Sequence, residues 1–243
     1  MLLQRIAFSL TILLATACLS SAQVVVNYVV DAGGNNNNPL NGLSARGTFT
    51  VNGNRLTILL ENTSAGVPDG FDSAASLLVS LAMNLPDVTF VSGDVSVIGP
   101  GSIGLGEWAG LIEGDSVADE WVWTNDFGGD LLESFQQVIS TSMGQGGGDV
   151  EHFAGGSGNI DGPFGGIAAS PPTVSLPDTQ RAVSDSIHFE LTLSAVLTDD
   201  QLAAAARSSM VEFGSDERYL RVPEPTTFWL LVLAAFTRLG RNE

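Results

Sequence analysis

The chain has no lysine. All nine of its basic residues are arginine, set against 27 acidic residues, for a net charge of −18 over 243 residues. So anionic a surface repels phosphate backbones and anionic lipid, which excludes nucleic acid as a partner. Cysteine is nearly absent as well: Cys18 stands alone, so no internal disulfide framework can form. Histidine is limited to His152 and His188. No Walker loop, dinucleotide fingerprint, zinc-ligand spacing or redox cysteine pair is present. The glycines around Ser157 lack the second glycine of a nucleophile elbow, which removes the usual esterase arrangement. What is plentiful is apolar surface, at 44% of residues, enough for a packed core and too much for a disordered chain.

The first 22 residues have the layout of an export signal. Arg5 lies in a short leading region, IAFSLTILLATACL supplies the apolar stretch, and Ser20-Ser21-Ala22 offers the small residues that a signal peptidase reads. A cut after Ala22 makes Gln23 the first mature residue. Ala15-Thr16-Ala17-Cys18 also resembles a lipoprotein box, an alternative in which Cys18 would be lipidated.

The other end has three parts. Pro223 and Pro225 bias the backbone of Val222-Pro223-Glu224-Pro225 toward an extended, donor-poor conformation that an enzyme can thread. Phe228 to Phe236 is continuously apolar, without helical period, and Arg238 and Arg241 follow. A durable membrane span needs about 20 apolar residues. This run fits a temporary inner-membrane stop, held by a positive cytoplasmic tip.

These residues resemble the PEP-CTERM sorting signal of exosortase-processed bacterial surface proteins. The resemblance implies a Gram-negative bacterium that makes exopolysaccharide, export, and removal of the tail by a membrane-embedded exosortase-type enzyme. It assigns Pro223, Glu224 and Pro225 to recognition, with no catalytic role in this chain. The expected localisation is the cell surface, outer envelope or extracellular matrix, with exopolysaccharide as a candidate partner. Residues 221–243 form the sorting segment and 23–220 the extracellular domain.

Within that domain the pattern is mostly β. RGTFTVNGNRLTILLEN reads as a hairpin about Asn52-Gly53, with both turn positions at positive φ. VTFVSGDVSVIG reads as a second hairpin about Ser92-Gly93-Asp94, and 73–86 as a buried strand closed by Pro86. SIHFELTLSAVL alternates, with Ile187, Phe189, Leu191 and Leu193 on one face and His188 on the other. Thr198-Asp199-Asp200-Gln201 is a capping box opening a short helix near 200–208. Many short strands divided by turn signals predict an all-β fold, a β-sandwich of jelly-roll type with one helix. The glycine-rich stretch 143–172 is expected to be a long loop holding few core residues.

Candidate chemistry is sparse, and the expectation is a non-enzymatic protein. Trp121 and Trp123 share a face of EWVWT, where they either anchor the core or, with Trp108, form a platform for sugar rings. The second option makes the chain a secreted carbohydrate-binding module. Asp115, Asp119, Asp126 and Asp130 lie in acidic loops whose oxygens suit Ca²⁺, although solvated acidic loops look the same and no EF-hand spacing is present. His152 among acids in the glycine-rich stretch is a weak metal candidate. An exported hydrolase would require two converging carboxylates.

Overall fold

The structure, a computed structural model, describes residues 21–31, 42–65, 76–118, 120–125, 135–141, 166–170, 181–214 and 218–224. The export segment before Ser21, Cys18, His152, Ser157, Pro225 and the apolar tail with Arg238 and Arg241 lie outside the described residues. The strands are β1 (Ala22–Tyr28), β2 (Val30–Asp31), β3 (Ala45–Asn52), β4 (Arg55–Asn62), β5 (Leu78–Met83), β6 (Phe90–Ile98) and β7 (Gly104–Gly106). They continue with β8 (Trp121–Thr124), β9 (Gln137–Thr141), β10 (Ile167–Ala168), β11 (Arg181–Ser184) and β12 (Ser186–Leu193). Helix α1 (Asp199–Ser208), β13 (Met210–Phe213) and β14 (Arg218–Arg221) complete the order.

Two sheets result. One has five strands in the order β1-β3-β4-β12-β6, all antiparallel. The other has nine, along β2-β14-β13-β5-β10-β11-β7, with β9 pairing both β5 and β8. Alternation places Phe49, Ile58, Ile187 and Phe189 on the inner face of the first sheet. They meet Leu81, Ile139, Val211 and Phe213 of the second in one apolar layer. Each such side chain contributes roughly 1.5–3 kcal/mol by leaving water. The fold is an all-β sandwich with a single short helix, as the alternating pattern predicts.

The chain itself joins the layers. At Val29 it passes from β1 in the five-stranded sheet to β2 in the nine-stranded one, and Val29 N–H donates to Arg221 O at 3.2 Å. Buried Tyr28, next to this crossing, shares a 2.6 Å hydrogen bond with Ser209 Oγ at the C-cap of α1. Burial pushes the Tyr28 phenol above its usual pKa, so it stays protonated. The helix starts as its capping box requires. Gln201 N–H donates to Thr198 Oγ1 at 3.2 Å and Thr198 N–H to Gln201 Oε1 at 2.9 Å. Leu202, Ala205 and Ala206 form its buried face.

Three local expectations are corrected. Asn52 pairs with Arg55, so the hairpin loop is Gly53-Asn54, one residue later than Asn52-Gly53. Only Gly53 has positive φ (64°), the signature of a glycine-led type II′ turn rather than type I′. The second hairpin does not exist: β6 runs unbroken through Ser92-Gly93-Asp94 beside β12, with register shifts there. Gly93 serves close approach, since a Cβ on it would lie 2.5 Å from Leu191 Cδ2. The glycine-rich stretch, third, contributes to the core. Ile167 and Ala168 are buried, parallel to β11 and antiparallel to β5. By contrast β5 is the buried strand expected within 73–86, and it is buried at every position.

Replacing Ile167 with alanine is expected to destabilise the fold by about 2–4 kcal/mol, a core-sized loss from a segment that composition alone marks as loop. Urea unfolding of the variant measures it, and a loss within about 0.5 kcal/mol would show that the strand is dispensable.

Candidate functional site

The residues expected to be processed sit where the chain leaves the sheets. β14 is held on both sides: Met210 to Phe213 of β13 pair along one edge, and Val30 and Asp31 of β2 along the other. Tyr219 and Leu220 are buried, and the register ends at Arg221. Val222 then rests against the core, and Pro223 and Glu224 are exposed. Proline at 223 cannot donate to a further ladder, so the strand stops there. At the other end Ala22 pairs with Val51 and Gln23, exposed, with Thr50. The buried residues of β1 are Val26 and Tyr28, well inside a cut after Ala22.

The tryptophans face inward. Trp121 is only 4% exposed and packs edge-on against Phe189 with centroids 5.2 Å apart. Half-buried Trp123 meets Phe90 edge-on at 5.7 Å, and its indole N–H donates to Gly93 O at 3.2 Å. Trp108 is half-buried against the same core. Trp121 and Trp123 therefore lie on one face, as alternation requires, but that face is the core. They do not stand exposed in a row as a sugar platform would.

Of the acidic loop residues described, Asp115 and Glu113 are engaged in turn formation. Asp115 Oδ2 accepts from Ile112 N–H at 2.8 Å, and Glu113 Oε2 from Gly101 N–H at 2.8 Å. Both clip a tight double-back whose glycine at 104 has Trp108 O against it. Asn125 is consumed by Phe90, accepting from its N–H at 2.6 Å and donating to its carbonyl at 2.7 Å. Asp119, Asp126 and Asp130 lie outside the described residues. Among the described residues no three His, Cys, Asp or Glu groups converge as a metal site would.

Two charge clusters escaped sequence reasoning, because their members are far apart in the chain. Arg181, paired with Gly106, donates from Nε to Glu107 Oε2 at 2.9 Å and from its terminal nitrogen to Glu120 Oε2 at 3.2 Å. Glu120 is buried, Glu107 exposed, and the guanidinium holds the Glu107 carboxyl below the usual carboxylate range. These two carboxylates do converge, but on a shared arginine. An acid–base pair for hydrolysis needs them free to exchange protons with substrate. The second cluster lies on the outer face of the five-stranded sheet. Arg46 grips Glu61 through both guanidinium branches, the Nε contact being 2.6 Å, and Asp185 sits beside them. Asp185 makes the one-residue turn from β11 to β12 at φ 69°. Half-buried His188 projects from the same face, opposite Ile187 and Phe189.

Among the described residues no helix is long and apolar enough to cross a membrane. Compared with protein-family models, curated proteins and solved structures, the chain matches none.

Burial and the neighbouring Glu61 charge raise the Asp185 pKa, and the Arg46 charge only partly offsets them. A carboxyl whose folded pKa is raised contributes most below its unfolded value, and that contribution is lost as pH climbs through the folded value. An asparagine in its place keeps a side chain that tolerates positive φ. Asp185→Asn is therefore expected to be more stable than the parent at neutral pH. The advantage vanishes below about pH 3. Urea midpoints at the two pH values check this, and an advantage that grows in acid would refute it.

Proposed function

We propose that this chain is an exported, C-terminally processed surface or extracellular-matrix protein of a Gram-negative bacterium, without catalytic activity of its own. The observation that carries the reading is the segment Val222-Pro223-Glu224-Pro225, followed by Phe228 to Phe236 and then by Arg238 and Arg241. Its resemblance to the PEP-CTERM signal supplies the processing partner, an exosortase-type enzyme. The N-terminal segment supplies the other, signal peptidase acting between Ala22 and Gln23. Exopolysaccharide is the associated material in this reading.

The fold is compatible with both cuts. The motif starts two residues beyond the last ladder residue, Arg221, and its first proline and glutamate are exposed to an approaching enzyme. Among the described residues the apolar layer between the sheets runs from Val26 to Val222, with the partly buried Ala22 and Val24 at its margin. An exposed start to the motif, just past the last paired strand, supports its reading as a removable sorting signal.

Intact mass of the protein recovered from cell surface and medium tests the reading. The expected species lacks the first 22 residues and the tail beyond Pro225. Changing Pro223, Glu224 and Pro225 together to alanine is expected to leave the tail attached and the protein in the membrane. Release at the parental rate from that variant would defeat the proposal.

A further inference from the structure

β1 is the outermost strand of the five-stranded sheet, and among the described residues no strand pairs with its outer edge. Edge strands usually carry a device against pairing: a charge, a proline, a bulge or a cover. β1, Ala-Gln-Val-Val-Val-Asn-Tyr, has no charge, no proline and no glycine, and its register with β3 is unbroken over all seven residues. Val25, at its centre, is 53% exposed. The bond from helix α1 to β1 goes to Tyr28, whose side chain points into the core and away from this edge. Among the described residues this edge makes no backbone hydrogen bond before Val29, whose N–H donates to the Arg221 carbonyl.

The order of side chains along β1 selects the occupant. Laid antiparallel on a second copy with Val25 opposite Val25, the strand puts Gln23 opposite Asn27, Val24 opposite Val26 and Ala22 opposite Tyr28. Amide meets amide on the outer face and valine meets valine on both faces. Sliding by two residues sets Gln23 or Asn27 against valine, and sliding by one sets outer residues against inner ones. Charge points the same way. Two molecules of net charge −18 can approach most easily along a strip without charge, and this register places no like charges opposite each other.

We infer that β1 is a self-association edge: two copies pair antiparallel through residues 23–27 about a two-fold axis at Val25, joining their five-stranded sheets into one. The partner is a second copy of this chain, and the interaction is backbone hydrogen bonding with a valine cluster at its centre. It does not depend on how the ends are processed, because Gln23 to Tyr28 survive a cut after Ala22.

Sedimentation velocity on the protein recovered from producing cells tests it. A concentration-dependent dimer is expected, and Val25→Lys weakens association about tenfold or more by placing like charges across the axis. Val25→Glu acts the same way alone, while an equimolar mixture of the two variants recovers dimer. Val25→Thr, which keeps a β-branched uncharged side chain, stays dimeric. Hydrogen exchange of the unsubstituted protein needs no variant: β1 amides gain protection as concentration rises. A monomer at about 100 µM would overturn the inference. So would a dimer indifferent to Val25→Lys, or β1 amides protected equally at every concentration, which would place a segment of the same chain on the edge.

Discussion

Three side-chain amides stand where neighbouring strands are missing, and the sandwich depends on them. Asn62, at the end of β4, donates to Ser76 O at 3.0 Å and Ile167 O at 2.7 Å, and accepts from Ser64 N–H at 3.1 Å. Gln137, at the start of β9, accepts from Leu85 N–H at 2.8 Å and donates to Val88 O at 3.2 Å. Asn125 pairs with both backbone groups of Phe90. A carboxamide offers the same donor and acceptor as a peptide group, so it can close a ladder that the backbone leaves open. A buried backbone group left without a partner costs about 1–3 kcal/mol. Asn62 and Asn125 thereby link backbone of one sheet to the other, and Gln137 fixes the connection between β5 and β6. Asn62 has a further consequence. As the first residue of an Asn-Thr-Ser sequon it is only 2% exposed and fully engaged, so it is a structural residue.

Much of this was legible from sequence wherever the signal is local. The alternation of β12 identified its buried face, and Thr198 with Gln201 announced α1, because both depend on neighbours within four residues. The Asn52-Gly53 hairpin was legible as a hairpin, but its register was not: buried cross-strand pairs such as Phe49 with Ile58 set the register, and they move the turn to Gly53-Asn54. Ser92-Gly93-Asp94 imitates a turn because glycine has two uses. Only the arrival of Leu191 and Trp123 from distant segments shows that close packing is the one in force. Ile167 and Ala168 stayed hidden for the same reason, since their partners Leu78 and Val183 lie outside the glycine-rich stretch. For the site the balance is reversed. The terminal residues Val222 to Pro225, on which the proposed sorting role rests, are contiguous and so are visible in the sequence itself. The Arg181 cluster joins Glu107, Glu120 and β11, which no local pattern connects.

The charge distribution follows from how few cations the chain has. Arg46, Arg55 and Arg181 are each spent on acids, namely Glu61, Glu190, and the Glu107–Glu120 pair. Exposed pairs of this kind contribute about 0–1 kcal/mol, so they do not hold the sheets together. Their effect is to neutralise particular places. Glu120 is almost wholly buried and would be costly there without its arginine. Arg46 and Arg55 offset Glu61 and Glu190 on the outer face of the five-stranded sheet.

At each end of the described chain the strand is anchored just inside its point of exit. At the C-terminal end, β14 is not an edge: β13 and β2 flank it, and the Arg221 carbonyl is held by Val29. At the N-terminal end the Tyr28–Ser209 bond ties β1 to α1, and Ser209 in turn donates to Ala206 O at 2.6 Å. Tension applied at Pro223, or loss of residues before Gln23, therefore meets hydrogen bonds that lie further along the chain than the cut. The same crossing at Val29 couples the ends to each other, since the first strands and the last one share a ladder. The last described residues, Pro223 and Glu224, thus leave a closed ladder rather than a frayed strand.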